Sequence, residues 1–419
     1  MSDYGIYHNP ATPARMRAVA VIENYSHECY DAALPNHRIE NMSIAAVALR
    51  RPSFRPAMVW LHRWAGLTLG LLFVLMGLSG TLLVFEHDID EALNPHLFHA
   101  ASSCTVPLSP DAAAGAVQAQ WPKAKVSGVF LPRHEGGSFR VTFKAPGIET
   151  GEALLDPCTG ALLGSRDRAA VGLGAQYLMP MLQTWHLNMF QGKSGRLAQG
   201  YIGAAIAVLL SVGLYLAWPA KRQWLRALRI KLNQSTYRSH YDLHRSIGLL
   251  ALPPLLLLAL TGFYNGLPEV VSSMVGSVAE VGAERRAIAR PALQKGETAI
   301  SWGDVQAISA PYLTGGTTMA GISRQPEKGI YIARLHRADD WQRTGTLRIY
   351  IDMRSGKVLE AINPLSGKPG DRFLAALFPL HSGQLGGATV KWLVALAGLL
   401  PALFFITGIT TWLLRRKKK

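Results

Sequence analysis

The sequence predicts an α-helical membrane bundle of four transmembrane helices with an internal two-fold repeat, each half being two spans that enclose an α+β domain on the outer side. Three observations predict it: four long uncharged apolar runs, Arg and Lys concentrated in the flanks of one side, and His, Arg and Gly recurring at identical offsets in the two halves.

The chain has 419 residues, of which only 17% are charged, and a mean hydropathy of +0.14, too apolar for an ordinary soluble protein. The runs Ala65 to Phe85, Tyr201 to Trp218, Ile247 to Leu267 and Trp392 to Leu414 carry no charge. Runs of roughly 20 residues rising about 1.5 Å each cross about 30 Å of hydrocarbon. No apolar signal-peptide core precedes Ala57, so the first span is expected to direct insertion and to remain uncleaved.

Orientation follows from short basic flanks. Arg50, Arg51, Arg55 and Arg63 precede the first span, Lys221 to Arg245 is rich in Arg and Lys between spans two and three, and Arg415 to Lys419 closes the chain. Both termini are therefore expected in the cytoplasm, with the spans in an inner membrane. The net charge of +16 sits beside spans, where anionic headgroups are its natural partner, so no nucleic-acid role is read. The resulting division is residues 1–56 as a cytoplasmic extension, 57–85 as the first transmembrane helix and 86–197 as the first outer domain. Residues 198–218 form the second helix, 219–245 a cytoplasmic loop, 246–267 the third helix, 268–389 the second outer domain, 390–414 the fourth helix and 415–419 a tail. Cys104 and Cys158 share the first outer domain, where an oxidising compartment permits a disulfide, whereas Cys29 is cytoplasmic.

The repeat is countable. From His62 and from His244 the next Arg is at +1 and glycines are at +4 and +18: Arg63, Gly66, Gly80 and Arg245, Gly248, Gly262. From His186 and His381 a glycine is at +6, a basic residue at +10 and a glycine at +27: Gly192, Arg196, Gly213 and Gly387, Lys391, Gly408. The outer segments match in kind. Ser109-Pro110-Asp111 opens a helix to about Gln120, followed by strands at Val126–Leu131, Phe139–Lys144 and Glu152–Asp156; Ser301 opens a helix to about Ala310, followed by strands at Thr317–Ser323, Gly329–Leu335 and Leu347–Asp352.

Of thirteen histidines, most are read as solvated or capping residues. His62, His186, His244 and His381 stand apart because an ionisable group at a membrane boundary is costly and functional by default. Spans one and three run outward, so His62 and His244 lie at the cytoplasmic ends; spans two and four run inward, so His186 and His381 lie at the outer ends. Parallel repeats about an axis along the membrane normal place equivalents opposite each other, giving two facing pairs. Neutral imidazoles on opposed helices in an apolar bundle suit axial ligation of haem iron, so these four are the expected metal ligands. Arg63 and Arg245 are placed to hold haem propionates, although basic flanking explains them equally; Arg196 and Lys391 are weaker candidates for the outer haem. The glycines leave room for a flat macrocycle, but ordinary helix packing explains each one alone better. His87, with His96 and His99, forms a second, less specific cluster without a counterpart in the other half.

The sequence resembles the PepSY-associated transmembrane family, and within it inner-membrane siderophore-iron reductases. The resemblance is carried over roughly residues 57–416 by Trp60-Leu61-His62-Arg63-Trp64-Ala65-Gly66-Leu67, Ser79-Gly80, Phe85-Glu86, Asn94-Pro95, Trp185-His186, Leu243-His244-Arg245, Thr261-Gly262, Leu380-His381-Ser382-Gly383 and Thr407-Gly408. It implies PepSY-like periplasmic domains and two b-type haems passing electrons across the membrane to periplasmic ferric siderophore, from a quinol or a cytoplasmic reductase. No acid–base or nucleophilic catalytic residue is required.

Two other readings compete. A non-catalytic scaffold or regulator would use the histidines only for packing; a transporter of iron or siderophore would use the repeat interface, although four spans without buried carboxylates suit that poorly. Trp121, Arg133, Arg140, Trp302, Arg334, Arg337 and Trp341 are the outer-domain candidates for substrate contact, with no pattern that names the siderophore.

Overall fold

The structure is a computed structural model and describes residues 54–100, 104, 106–132, 134, 136–282, 288, 290–294 and 296–416. Cys29, Arg50, Arg51, Arg133, nearly all of the N-terminal extension and the last three lysines lie outside the described residues.

Twelve α-helices occur in chain order among these residues. α1 (Arg55–Leu83) starts with proline in its first turn, where the missing N–H costs nothing, and is followed by the short α2 (Glu86–Leu93) and α3 (Pro95–Phe98). α4 (Pro110–Gln120) is capped by Ser109. α5 (Ala175–Asn188) precedes α6 (Gly192–Ala217), with α7 (Trp224–Ala227) in the connection to α8 (Thr236–Gly266). α9 (Pro268–Gly276), α10 (Trp302–Ser309), α11 (Pro369–His381) and α12 (Gly387–Arg416) complete the set. Four of them, α1, α6, α8 and α12, are long and apolar enough to cross a membrane. Each starts earlier than the apolar run it contains, because a helix continues through polar residues that the bilayer does not need to accept. α8 thus begins at Thr236, with Ser235 as its cap, and His244 lies well inside it.

The four long helices close a ring in which α1 packs on α12 and α6, and α8 on α6 and α12. Small residues permit this closeness: a Cβ on Gly77 would overlap the Gly398 carbonyl, and one on Gly266 would overlap the backbone of Gly200. Thr81 Oγ1 adds a bond across α1 and α12 by donating to the Ala395 carbonyl at 2.8 Å.

Outside the bundle the strands are β1 (Lys125–Phe130), β2 (Phe139–Ala145), β3 (Ile148–Leu155), β4 (Leu162–Asp167), β5 (Thr318–Gln325), β6 (Ile330–His336), β7 (Leu347–Asp352) and β8 (Val358–Ile362). They form one antiparallel sheet in the order β4-β3-β2-β1-β5-β6-β7-β8. The two outer segments thus share a sheet, joined where Val129 of β1 pairs with Ile322 of β5. Their core is shared too: Val117 of α4, Val305 of α10, Phe139, Val141, Ile322, Ala333 and Ile349 belong to one buried cluster on a single face. Asp111 of α4 fastens the halves by accepting the N–H groups of Trp302 and Gly303 at 2.8 Å each, a carboxylate at the N-terminus of α10 where orphan donors need one. β4 and β8 were not expected from the sequence. Both are edge strands, and an edge strand needs little apolar alternation because one side has no neighbour.

The opposite face of the sheet meets α3 and α5 through a buried ionic network. Arg166 donates to Asp90 of α2 at 2.7 and 2.9 Å and to Glu152 of β3 at 2.7 Å, and to the Gln176 carbonyl of α5 at 3.0 Å. Arg168 and Arg140 also reach Glu152, at 3.3 and 3.4 Å. Burial by itself would raise the Glu152 pKa; Arg168, Arg166 and Arg140 outweigh it and hold the carboxyl at about 2. Cys104 and Cys158 form a disulfide, with Cα atoms 5.7 Å apart.

Candidate functional site

His62 and His244 sit within α1 and α8, whereas His186 and His381 sit near the ends of the separate short helices α5 and α11. Each short helix turns into a membrane helix through left-handed residues: Met189, Phe190 and Gly192 between α5 and α6, and Gly383, Gly386 and Gly387 between α11 and α12. The reversal lets each short helix reach a membrane helix other than the one that follows it: α5 packs on α1 as well as on α6, and α11 packs on α8.

The structure brings the four histidines together as two pairs. The rings of His62 and His244 have centroids 6.1 Å apart and planes at 85°; those of His186 and His381 are 6.2 Å apart at 48°. The glycines that recur at +18 and +27 each abut one ring. A Cβ on Gly213 would lie 3.0 Å from Cε1 of His62, and one on Gly80 3.1 Å from Cε1 of His186; for Gly262 against His381 and Gly408 against His244 the distance is 3.6 Å. These glycines therefore make space for imidazoles. Gly66 has nothing within 4 Å, and Gly248 meets only Phe404 at 3.8 Å.

The residue preceding three of those glycines fixes the tautomer. Ser79 Oγ donates its one proton to the Leu75 carbonyl at 2.8 Å, so toward His186 Nδ1, 3.0 Å away, it accepts. Thr261 donates to Leu257 at 2.7 Å and accepts from His381 Nδ1 at 2.8 Å. Thr407 donates to Leu403 at 2.7 Å and accepts from His244 Nδ1 at 2.9 Å. A carbonyl can only accept, so the ring must supply the second proton from Nδ1, leaving Nε2 as the lone-pair nitrogen. Lone-pair nitrogens on paired rings in an apolar bundle suit ligation of a metal, and the Nδ1 bond is the usual partner that orients a ligating imidazole. At the fourth position Val212 precedes Gly213, and His62 Nδ1 is buried without a well-formed hydrogen bond, facing the Leu209 carbonyl. These hydroxyl groups were missed as functional residues in the sequence, although a Ser or Thr before three of four recurring glycines was the available signal.

The remaining candidates divide. Arg245 keeps a buried Nε without a partner among the described residues, while Arg63 is exposed beside the Trp64 ring. Arg196 donates to the Asn265 carbonyl at 3.0 Å and lines a cavity. Lys391 is held by Asp88 at 2.6 Å. His87 and His99 both turn to Glu91, at 3.4 and 3.0 Å, and His96 is exposed. Among the described residues no group of three or more His, Cys, Asp or Glu is arranged around a metal position. Trp121 packs on Phe143 and Trp302 on Tyr331, so both serve the outer core, and Arg337 pairs with Asp339.

Four membrane-crossing helices beside an eight-stranded antiparallel sheet, with paired histidines in the bundle, define a multi-pass membrane protein with an α+β layer outside the bundle. The chain belongs to the PepSY-associated TM region family, whose profile matches residues 59–415. No curated protein matches the chain.

Proposed function

We propose that this protein is an inner-membrane reductase that carries electrons through two b-type haems to a ferric siderophore on the outer side, releasing ferrous iron. The observation that carries the reading is the two imidazole couples, in which Nδ1 is engaged by a hydroxyl in three of the four rings and Nε2 of those three is left for a metal. Two metal–nitrogen bonds of about 2 Å, with about 1 Å from nitrogen to ring centre on each side, put ring centroids about 6 Å apart. The 6.1 and 6.2 Å separations fit that span.

His62 with His244 would hold the inner haem and His186 with His381 the outer one; when bound, each supplies a one-electron couple. The chain orients the imidazoles through Ser79, Thr261 and Thr407 and excludes bulk from the ring edges with glycine. Arg245, with its unpartnered Nε, and Arg63 are the residues for inner propionates. His62 and Gly80, which abuts His186, are 18 residues apart on α1, on the order of 27 Å along the axis at 1.5 Å per residue. The couples would thus lie near opposite surfaces of a bilayer core of about 30 Å.

The basic connection containing Lys221, Arg222, Arg226, Arg229 and Lys231 would face the cytoplasm with both termini. The sheet and the Cys104–Cys158 disulfide would face the oxidising side. We read the halves as a duplicated PepSY-like unit, supported by the sheet order on either side of β1 and β5 and by the recurrence of the His–Gly contacts. Electrons would come from a quinol or a cytoplasmic reductase.

The test is the reduced-minus-oxidised absorption spectrum of the purified protein, with haem counted per chain. Two bis-histidine haems are expected, and single His62→Ala, His186→Ala, His244→Ala and His381→Ala variants should each lose one. A preparation that takes up no haem even when haem is supplied would end the reading.

A further inference from the structure

We propose that the cavity between α11, the outer ends of α6 and α8, and strand β7 docks an anionic, oxygen-donor iron chelate, with Arg348 and Arg196 as its anion-binding groups. The proposal rests on the redox reading above and narrows its substrate to negatively charged chelates.

The cavity measures about 340 Å³ and is lined by Arg196, Tyr264, Gln342, Thr346, Arg348 and Phe378, a size suited to a small-molecule ligand. Among the described residues, its only lining carboxylate is Asp371. That group is already engaged by the N–H of Gly282, at 2.9 and 3.0 Å, and of Lys368, at 3.1 Å.

Arg348 stands opposite Arg334 in the β6–β7 ladder. Both have a buried Nε without a hydrogen-bond partner, and neither forms an ion pair, among the described residues. Burial holds the Arg334 pKa below its ordinary value, and the nearby charges of Arg348 and Arg140 push the same way. Both residues are half-buried, and like charges held side by side without a counter-charge repel.

The β3–β4 side of the same sheet face shows what compensation looks like. There Arg166 and Arg168 meet Asp90, Glu152 and Glu86. On the β6–β7 side no such carboxylate stands among the described residues, so a bound anion would supply the counter-charge. A guanidinium grips carboxylate or catecholate oxygens in two-pronged fashion, and Tyr264 and Phe378 offer apolar surface beside it.

The location connects the cavity to the outer histidine couple. Phe378 and the lining residue Leu374 precede His381 by three and seven residues on α11, which puts all three on one side of the helix. The farther one is only about 10 Å away along the axis.

The test uses the full-length, haem-loaded protein and redox-inert gallium(III) citrate, titrated calorimetrically so that binding is read without electron transfer. A gallium(III) trihydroxamate without negative charge is the comparison ligand, and haem per chain is counted in the same samples. We expect the citrate complex to bind at least tenfold more tightly than the uncharged one. Arg348→Gln should weaken it at least tenfold, Arg348→Lys less, and Lys144→Gln, at an exposed position of β2 that does not line the cavity, not at all. Unchanged binding in Arg348→Gln, or a preference for the uncharged chelate, overturns the proposal. So does loss of haem in Arg348→Gln, which would assign the arginine to porphyrin carboxylates. Citrate binding by a protein that takes up no haem even when haem is supplied leaves the anion site standing and removes the redox reading alone.

Discussion

Thr407 Oγ1 lies 2.9 Å from Nδ1 of His244 and 2.7 Å from the Leu403 carbonyl oxygen, so one hydroxyl ties an imidazole to the backbone of the neighbouring helix. The carbonyl takes the hydroxyl proton and the imidazole gives its own. Ring orientation and tautomer are therefore set before any metal arrives. Removing such an outer partner typically costs 10–100-fold in metal affinity. Thr407→Val, which keeps the shape of the side chain, should weaken haem retention at the His62–His244 couple by about that factor while the outer couple stays loaded. Haem titration of the apoprotein measures it, and unchanged retention would show that packing alone orients His244.

Val212 offers the converse experiment, since it stands before Gly213 where the other three positions carry Ser or Thr. Val212→Thr should give His62 Nδ1 an acceptor, make the imidazole a stronger donor and lower the midpoint potential of one haem only. A redox titration followed in the visible spectrum resolves the two couples. Equal movement of both, or of neither, would contradict the assignment of His62.

The glycines should not respond alike. A methyl on Gly213 or Gly80 would press on its histidine at 3.0 or 3.1 Å, whereas one on Gly262 or Gly408 meets ordinary contact at 3.6 Å. Gly213→Ala and Gly80→Ala are expected to lower haem content by one per chain. Gly262→Ala and Gly408→Ala should retain both, with the helix itself stabilised by about 1 kcal/mol.

Glu152 gives a pH dependence with a definite sign. Its folded pKa of about 2 lies below the ordinary 4.5, so its contribution is complete above about pH 4.5 and is lost as pH falls toward 2. That contribution is roughly 3 kcal/mol. Glu152→Gln strips the counter-charge from Arg166, Arg168 and Arg140 and should destabilise the outer layer by about 3–5 kcal/mol, flattening the acid limb of thermal stability between pH 4.5 and 2. Because Arg166 also holds the Gln176 carbonyl of α5, the same variant should loosen His186 and lower haem at the outer couple.

The sequence by itself determined the four spans, because apolar length is read locally, and the placement of Arg and Lys supplied the proposal for their orientation. It also determined which histidines recur, because spacing is preserved in one dimension. Six of the eight strands were legible from alternating apolar residues; β4 and β8 were not, since their edge positions demand no such pattern. Only the tertiary structure decided that both outer segments share one sheet through Val129 and Ile322, a pairing between residues 193 positions apart that no local signal encodes. It alone showed that α5 and α11 lean on α1 and α8, so that Ser79 meets His186 and Thr261 meets His381. It likewise separated Arg140, matched by Glu152, from Arg334 and Arg348, for which no such partner stands among the described residues. The physical reason is common to all three: hydrogen bonds and ion pairs depend on distances of about 3 Å between chemical groups, and such distances between remote segments are set by packing, not by sequence spacing.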